Sequence, residues 1–339
     1  MTYPRRRLIL IVLVVTLAVA TIPTLWIGAK WQRAITNVNK MIVTPVSLPT
    51  ATPAPALAHE PPLAIPDEPI PTAMPEPGGA MNILLVGTDA RPGEDVSRTD
   101  TIVLAHFDRR TNHVSMLSFP RDLWVTIPGY GKNKINAVYP IGERKIGPGY
   151  GPALLKETVG ELVGLPIDHF VLINFDGFKT LIDKIDGIYV DLPKALDDAA
   201  YPTDDYRTIK IHFDAGRQLL DGDRALIYAR TRHADSDFGR ARRQQQFIMG
   251  LRRQALHLNL LPKAPSILAA LSDTIKTDLR PTEILGLARM AKDLDASALT
   301  SRVVDESMTT HWVTPAGAQV EVPDKAAVKR LVQEVFGRV

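Results

Sequence analysis

Residues Leu8–Ala29 form an uncharged run of 22 residues directly behind Arg5, Arg6 and Arg7, and no other feature restricts the fold of the chain as strongly. As a helix the run would extend about 33 Å at about 1.5 Å per residue, enough to cross the hydrocarbon core of a bilayer. Basic residues ahead of it place the N-terminus in the cytoplasm and everything after it outside. Ala18-Val19-Ala20 resembles a signal-peptidase site, but the apolar run continues past it through Trp26, which favours an uncleaved anchor. Both readings export the rest of the chain. Trp26 and Trp31 are placed to mark the outer membrane interface.

The segment beyond the anchor cannot build a core. Of the 27 prolines, 11 lie between Pro45 and Pro77, and residues 41–79 are otherwise rich in Ala and Thr. Such a segment is expected to be disordered or polyproline-like. Stretched at about 3.1 Å per residue, it would act as a tether on the order of 100 Å long. The expected organisation is therefore a cytoplasmic stub 1–7, a transmembrane anchor 8–29, a juxtamembrane and Pro-rich linker 30–80, and one extracellular domain 81–339.

Charge sharpens this division. Residues 1–40 carry six Lys or Arg and no acid, and residues 41–80 carry four acids and no base. The formal charge of +3 thus leaves residues 81–339 nearly balanced, with 40 − 6 = 34 basic and 37 − 4 = 33 acidic side chains, which gives no reason to invoke nucleic acid. The chain has no cysteine, which excludes disulfides, thiol nucleophiles and cysteine-based metal sites.

From Met81 the pattern is that of an α/β domain. Short apolar runs at 81–87, 101–107, 113–119, 168–175, 187–192, 300–304 and 319–322 read as strands. Helical patterns occupy 136–164 (broken at GPGYG), 176–185, 219–230, 238–258, 263–276, 281–295 and 323–336, while 193–207 reads as a loop. The expectation is a single domain with a mixed central sheet flanked by many helices.

Arg230–Gln246, RTRHADSDFGRARRQQQ, is its most unusual stretch, with five arginines, two aspartates and three glutamines. At 100° per residue, Phe247, Ile248, Leu251, Ala255 and Leu258 form an apolar stripe that Arg240, Arg243 and Gln244 extend, whereas Arg242, Arg252 and Arg253 fall away from it. Inward-turned guanidinium groups need anionic partners, and this density suits a phosphate or diphosphate. Candidates lie at other element ends. The loop after the first strand holds Asp89, Arg91, Asp95, Arg98 and Asp100, and Arg121-Asp122 follows the third strand. Asp89 and Asp100 could share a hard divalent cation. The histidines show no zinc-ligand spacing, no GxSxG is present, and GPGYG is followed by no GK[ST].

NILLVGTDAR, SRTDTIVLAHFD, SFPRD, KINAVYPIG, GLPIDHFVLINFDGF and YARTRHADSDFGRARRQQ, in this order and spacing, resemble the LytR–CpsA–Psr family, as does the tail VEVPDKAAVKRLVQEVF. The resemblance implies a membrane-anchored envelope enzyme. It would transfer a glycopolymer phosphate from a polyprenyl-diphosphate carrier to a peptidoglycan hydroxyl. Carried over residue by residue, it implies that Asp89 and Asp100 hold Mg²⁺ (or Mn²⁺). Arg91, Arg98, Arg230, Arg232, Arg240 and Gln244 would bind the diphosphate, with Arg121, Asp122 and Asp237 as the catalytic group. Arg243 is turned inward by helical geometry, while the family signature rests on Arg240 and Gln244. Phosphoryl transfer needs positioning and charge neutralisation more than a covalent nucleophile. Asp89 and Asp122 are both placed to take the acceptor proton. The apolar residues of 153–163, 176–185 and 220–229 either line a channel for the prenyl tail or form the core. Two other functions fit the same residues: a polyprenyl-diphosphate phosphatase, and a non-catalytic envelope protein that binds polymer.

Overall fold

The computed structural model of the chain describes residues 39–49, 80–89, 96–203, 207–231, 236–257, 264–294 and 298–337. The anchor 8–29 and the Pro-rich run 50–79 lie outside the described residues, as do Arg91 and Arg232. Among the described residues, no helix is long and apolar enough to cross a membrane.

The centre is a six-stranded mixed sheet. It is built from β1 (Ala80–Thr88), β2 (Thr99–Asp108), β3 (His113–Ser118), β6 (His169–Asn174), β11 (Ile275–Thr277) and β12 (Leu299–Val303), in the order β11-β6-β1-β2-β3-β12. β1 runs parallel to β6, and β3 parallel to β12; the remaining pairs are antiparallel. Both faces are covered, which is why the inner strands read as continuous apolar runs rather than alternating ones. Ile102 and Leu104 face one core, with α1 (Tyr150–Val163) and α7 (Lys325–Phe336) over them. Val103 and Ala105, offset by one residue, face the other, beneath α4 (Asp237–His257) and α6 (Pro281–Asp293).

A third cluster joins α2 (Phe175–Lys184), β7 (Ile188–Leu192), β8 (Leu196–Pro202), β9 (Thr208–Phe213), β10 (Gly216–Leu220) and α3 (Gly222–Arg230). Two hairpins lie beside the first core: β4 (Trp124–Ile127) with β5 (Gly131–Lys134), and β13 (Thr309–Val313) with β14 (Gln319–Pro323). α5 (Ala264–Leu271) precedes β11.

The domain is α/β with a mixed sheet, as the element pattern indicates, but four local expectations change. Residues 193–207 include a strand: β8 pairs with β9 and buries Leu196, Asp198 and Tyr201, so pairing overrides the poor strand propensity of its aspartates. The helix expected from Leu219 starts at Gly222, because Leu219 and Leu220 pair with β7 and Asp221 caps the first turn through Arg224 N–H. The helix expected over 263–276 ends at Leu271, and Ile275–Thr277 becomes the sheet edge. Finally, residues 41–49 do not belong to a featureless linker. Met41 is buried, Ile42 bridges Thr277 in parallel, and Val43 N–H donates to Thr277 O at 2.8 Å. One methionine and two β-branched residues suffice to dock this short stretch on the exposed edge of β11.

Candidate active site

Parallel strands β1, β3 and β6 all end at the same edge of the sheet, and the site is built there. Asp89 follows β1 and donates its N–H to Arg98 O at 3.2 Å. Across the pair, Gly87 faces Thr101 and Thr88 faces Thr99, so Asp100 is the extra residue of a β-bulge. The bulge re-aims its side chain out of the ladder, and Asp100 Oδ1 accepts from Arg121 Nη1 at 3.0 Å. Only glycine fits at 87 without displacement, since a Cβ there would lie 3.0 Å from Thr101 Cβ.

Arg121 reaches this point because Pro120 turns the chain after β3, with Leu123 N–H donating to Pro120 O at 3.1 Å. Its Nε lies 3.7 Å from both Asp122 Oδ2 and Asp237 Oδ1. Asp237 opens α4 and meets Arg240 Nη2 at 2.9 Å, where Arg240 is 3% exposed. Lys134, at the end of β5, donates to Asp122 Oδ1 at 2.6 Å. The result is a continuous chain of alternating charge, Lys134–Asp122–Arg121–Asp237–Arg240, with Asp100 attached to Arg121.

Arg230 ends α3 and is held on the ring of Phe175 at 4.2 Å, donates to Tyr201 OH at 3.2 Å, and lies 3.6 Å from Asp89 Oδ1. Gln244 lies one helical turn beyond Arg240, half-buried, with no side-chain hydrogen bond among the described residues. Arg98 is exposed, and no ion pair joins it to the cluster among the described residues.

Electrostatics divides the carboxylates. Burial pushes Asp237 up, and the hydrogen-bonded Asp122 adds to this, outweighing Arg240 and Arg121. Burial also acts upward on Asp122, but hydrogen bonds from Asp237 and Lys134, together with Arg121, bring it below the usual carboxylate range. Of the two, Asp237 is therefore the carboxyl that binds a proton more readily. Arg121 is held charged: burial opposes its charge, and Asp100, Asp237 and Asp122 more than offset this.

Two motif residues have structural tasks. Arg243 is buried and donates Nε to Tyr228 O at 3.1 Å and Nη2 to Thr231 O, closing the C-terminus of α3. The amides of Gly149 and Gly151 in GPGYG are both bound by Glu143 at 3.0 Å, so this turn does not cradle a phosphate. Lys134, Phe175 and Tyr201 were not singled out by residue type. Lys134 stands inside KINAVYPIG and Phe175 inside GLPIDHFVLINFDGF, but no strand is expected from the sequence at 131–134, and nothing in it marks Tyr201. The apolar residues Leu154, Leu155, Val159, Ile182 and Ala225 pack within the core clusters.

Asp89 and Asp100 stand at adjacent strand ends and offer hard carboxylate oxygens, a donor set that fits Mg²⁺ shared with phosphate. No group of three or more His, Asp or Glu suited to a metal occurs among the described residues.

Fold and site together define an α/β protein with a cluster of arginines and aspartates at the carboxyl edge of its sheet. The LytR–CpsA–Psr family model matches residues 59–335, and the chain belongs to that family. It is 39% identical over 203 residues to the polyisoprenyl-teichoic acid–peptidoglycan teichoic acid transferase TagU of Oceanobacillus iheyensis, spanning 59% of this chain and 59% of that relative, less than two thirds of its length. It is 30% identical over 264 residues to the regulatory protein MsrR of Staphylococcus aureus, covering 76% of this chain and 75% of MsrR. A solved structure of TagT bound to LI-WTA superposes with a TM-score of 0.60 at 25% identity, covering 80% of this chain and 97% of TagT.

Proposed function

We propose that the chain transfers a glycopolymer phosphate from a polyprenyl-diphosphate carrier to a peptidoglycan hydroxyl, at the outer face of a membrane that residues 8–29 anchor it to. The observation that carries this reading is the chain Lys134–Asp122–Arg121–Asp237–Arg240. A plain polyanion binder needs cations; it has no use for two half-buried carboxyls set among its arginines. The kinship with TagU, and with TagT holding LI-WTA, supports the substrate class.

Arg121, Arg230 and Arg240, joined by Arg91, Arg98, Arg232 and Gln244, hold the diphosphate and stabilise charge on the departing polyprenyl phosphate. Asp89 and Asp100 would hold Mg²⁺, which supplies charge neutralisation of the phosphate oxygens when bound. The acceptor oxygen forms a bond to the glycan-bearing phosphorus while the bond to polyprenyl phosphate breaks. The acceptor proton goes to the Asp122–Asp237 pair. Within it Asp237 is the stronger base, because burial and its neighbour raise it, whereas Asp122 is held below the usual carboxylate range. Phe175 and Tyr201 keep Arg230 in place without neutralising it.

The test is incubation of the full chain with a polyprenyl-diphosphate glycan and Mg²⁺, with and without peptidoglycan. Acceptor-dependent product is expected. Release of phosphorylated glycan to water alone would make the chain a phosphatase, and polymer binding without turnover would make it a non-catalytic binder.

A further inference from the structure

The β4–β5 hairpin begins at the catalytic Asp122 and alternates strictly. Leu123, Val125 and Ile127 are buried in the first core, so Asp122, Trp124 and Thr126 share the opposite face. Across the ladder, Trp124 faces Lys134 and Thr126 faces Lys132, placing both lysines on that face. Thr126 is exposed. The face runs about 13 Å from Asp122 to Thr126 at about 3.3 Å per residue.

The β13–β14 hairpin extends it. Glu321 N–H donates to Asp122 O at 3.0 Å, and Leu123 bridges Glu321 in parallel. This brings Trp312 edge-on to Trp124, with ring centroids 6.0 Å apart at 70°. His311 and Thr309 bind the two oxygens of Glu321 at 3.0 Å each. Trp124 and Trp312 are the two tryptophans of residues 81–339, and neither joins the core cluster beneath them. Trp124 Nε1 is buried without a hydrogen-bond partner among the described residues, so any part of this side chain that water reaches is ring carbon.

Two half-exposed indoles at an angle, flanked by Thr126 and Lys132, match one ligand chemistry well. Sugar rings present flat C–H faces that pack on indole carbon, and rims of hydroxyls that seek polar neighbours. We infer that the outward face of β4–β5, continued by Trp312, binds the carbohydrate chain of the acceptor and delivers its hydroxyl to Asp122 and Asp237. The inference rests on the transfer reading for the identity of that chain. The acceptor rather than the donor is placed here because this face starts at the proton-accepting pair, while Arg230, Phe175 and Tyr201 gather around Asp89.

The test uses the full chain in detergent and a soluble, peptide-free glycan strand of alternating N-acetylglucosamine and N-acetylmuramic acid, titrated calorimetrically. Saturable binding is expected for the unmodified chain, weakened at least tenfold by Trp312→Ala and by Thr126→Glu. Thr126 is a surface position, so the second variant keeps its fold, and thermal melting checks both. Absence of binding, or equal affinity in all three proteins, would overturn the proposal. So would weakened binding of the lipid-linked donor with strand binding intact, since the face would then hold the donor glycan. Transfer activity is measured on the same preparations. Transfer without Trp312-dependent strand binding overturns this surface and leaves the transfer reading standing. Strand binding through Trp312 without transfer upholds the surface and overturns that reading.

Discussion

Arg240 and Arg242 are two positions apart on α4 and serve different ends. Arg240 is buried against Asp237, while Arg242 is exposed and pairs with Glu306 at 2.9 Å. Arg240→Ala is expected to lower turnover at least 100-fold, in line with loss of a charge that stabilises the transition state, whereas Arg242→Ala changes it less than about threefold because surface ion pairs contribute about 0–1 kcal/mol. Steady-state transfer rates with circular dichroism as a fold check decide this. Arg243→Ala should instead act on stability, lowering it by about 2–3 kcal/mol in chemical denaturation, since two carbonyls at the end of α3 lose a charged donor. The carboxyl pair has its own signature. Asp122 holds Asp237 upward, so in Asp122→Asn the acid limb of the kcat/KM profile, which follows ionisation of Asp237, should move to lower pH. Collapse of activity at every pH would instead make Asp122 the base.

At the scale of elements, the edge strand β11 is secured from both sides. Asp278, just beyond it, accepts from Phe170 N–H at 2.8 Å and from Lys156 at 2.7 Å, and lies 3.4 Å from His169 Nδ1. The hydrogen bond to Asp278 is the main cause that holds His169 above its ordinary value. Burial works against the charge of Asp278, and His169, Lys156 and the Phe170 amide outweigh it and bring the carboxyl below its usual range. The sign comes from linkage. His169, raised in the fold, contributes stability that is fully present below about pH 6.5, its unfolded value, and that fades as pH rises through the folded value. Melting temperatures of the wild type and His169→Gln should therefore differ most in mildly acidic buffer and converge on the alkaline side. A gap that widens with pH would contradict the assignment. On the other edge of β11 lies the docked stretch 41–49, whose removal exposes that edge to pairing with another chain.

For the whole molecule in the proposed membrane-anchored arrangement, this docked stretch sets how far the domain stands from the bilayer. Residues 41–49 precede the Pro-rich run yet already pack on the domain through Met41, Val43 and Leu48. Reach from an anchor ending at Ala29 is then limited by the ten steps to Asn39, at most about 35 Å when extended, rather than by the run 50–79, which only joins the docked stretch to β1. Deleting fifteen residues from 50–79 should leave transfer in membranes within about twofold of wild type. Met41→Asp, which puts a charge into a buried apolar site, should lower the melting temperature and the transfer rate together. A large loss on shortening the Pro-rich run, with Met41→Asp silent, would restore the tether reading.

Much of this was legible before the fold was. The strands β1, β2, β3 and β6, the long helix α4 and the inward turn of Arg240 come from local periodicity, since 2.0- and 3.6-residue repeats are properties of the chain itself. The charged motifs named Asp89, Asp100, Arg121, Asp122, Asp237 and Arg240 for the same reason: charge at the ends of apolar runs is visible in sequence. Only tertiary structure decided the rest. Strand β8, with its aspartates, exists because β9 pairs with it. Lys134 reaches Asp122, and Phe175 and Tyr201 reach Arg230, because distant elements end at one sheet edge. Met41, inside a Pro-rich neighbourhood, is core because β11 offers an open edge. The sequence specifies which groups carry charge and which faces are apolar; which of them meet depends on through-space contacts that no local repeat encodes.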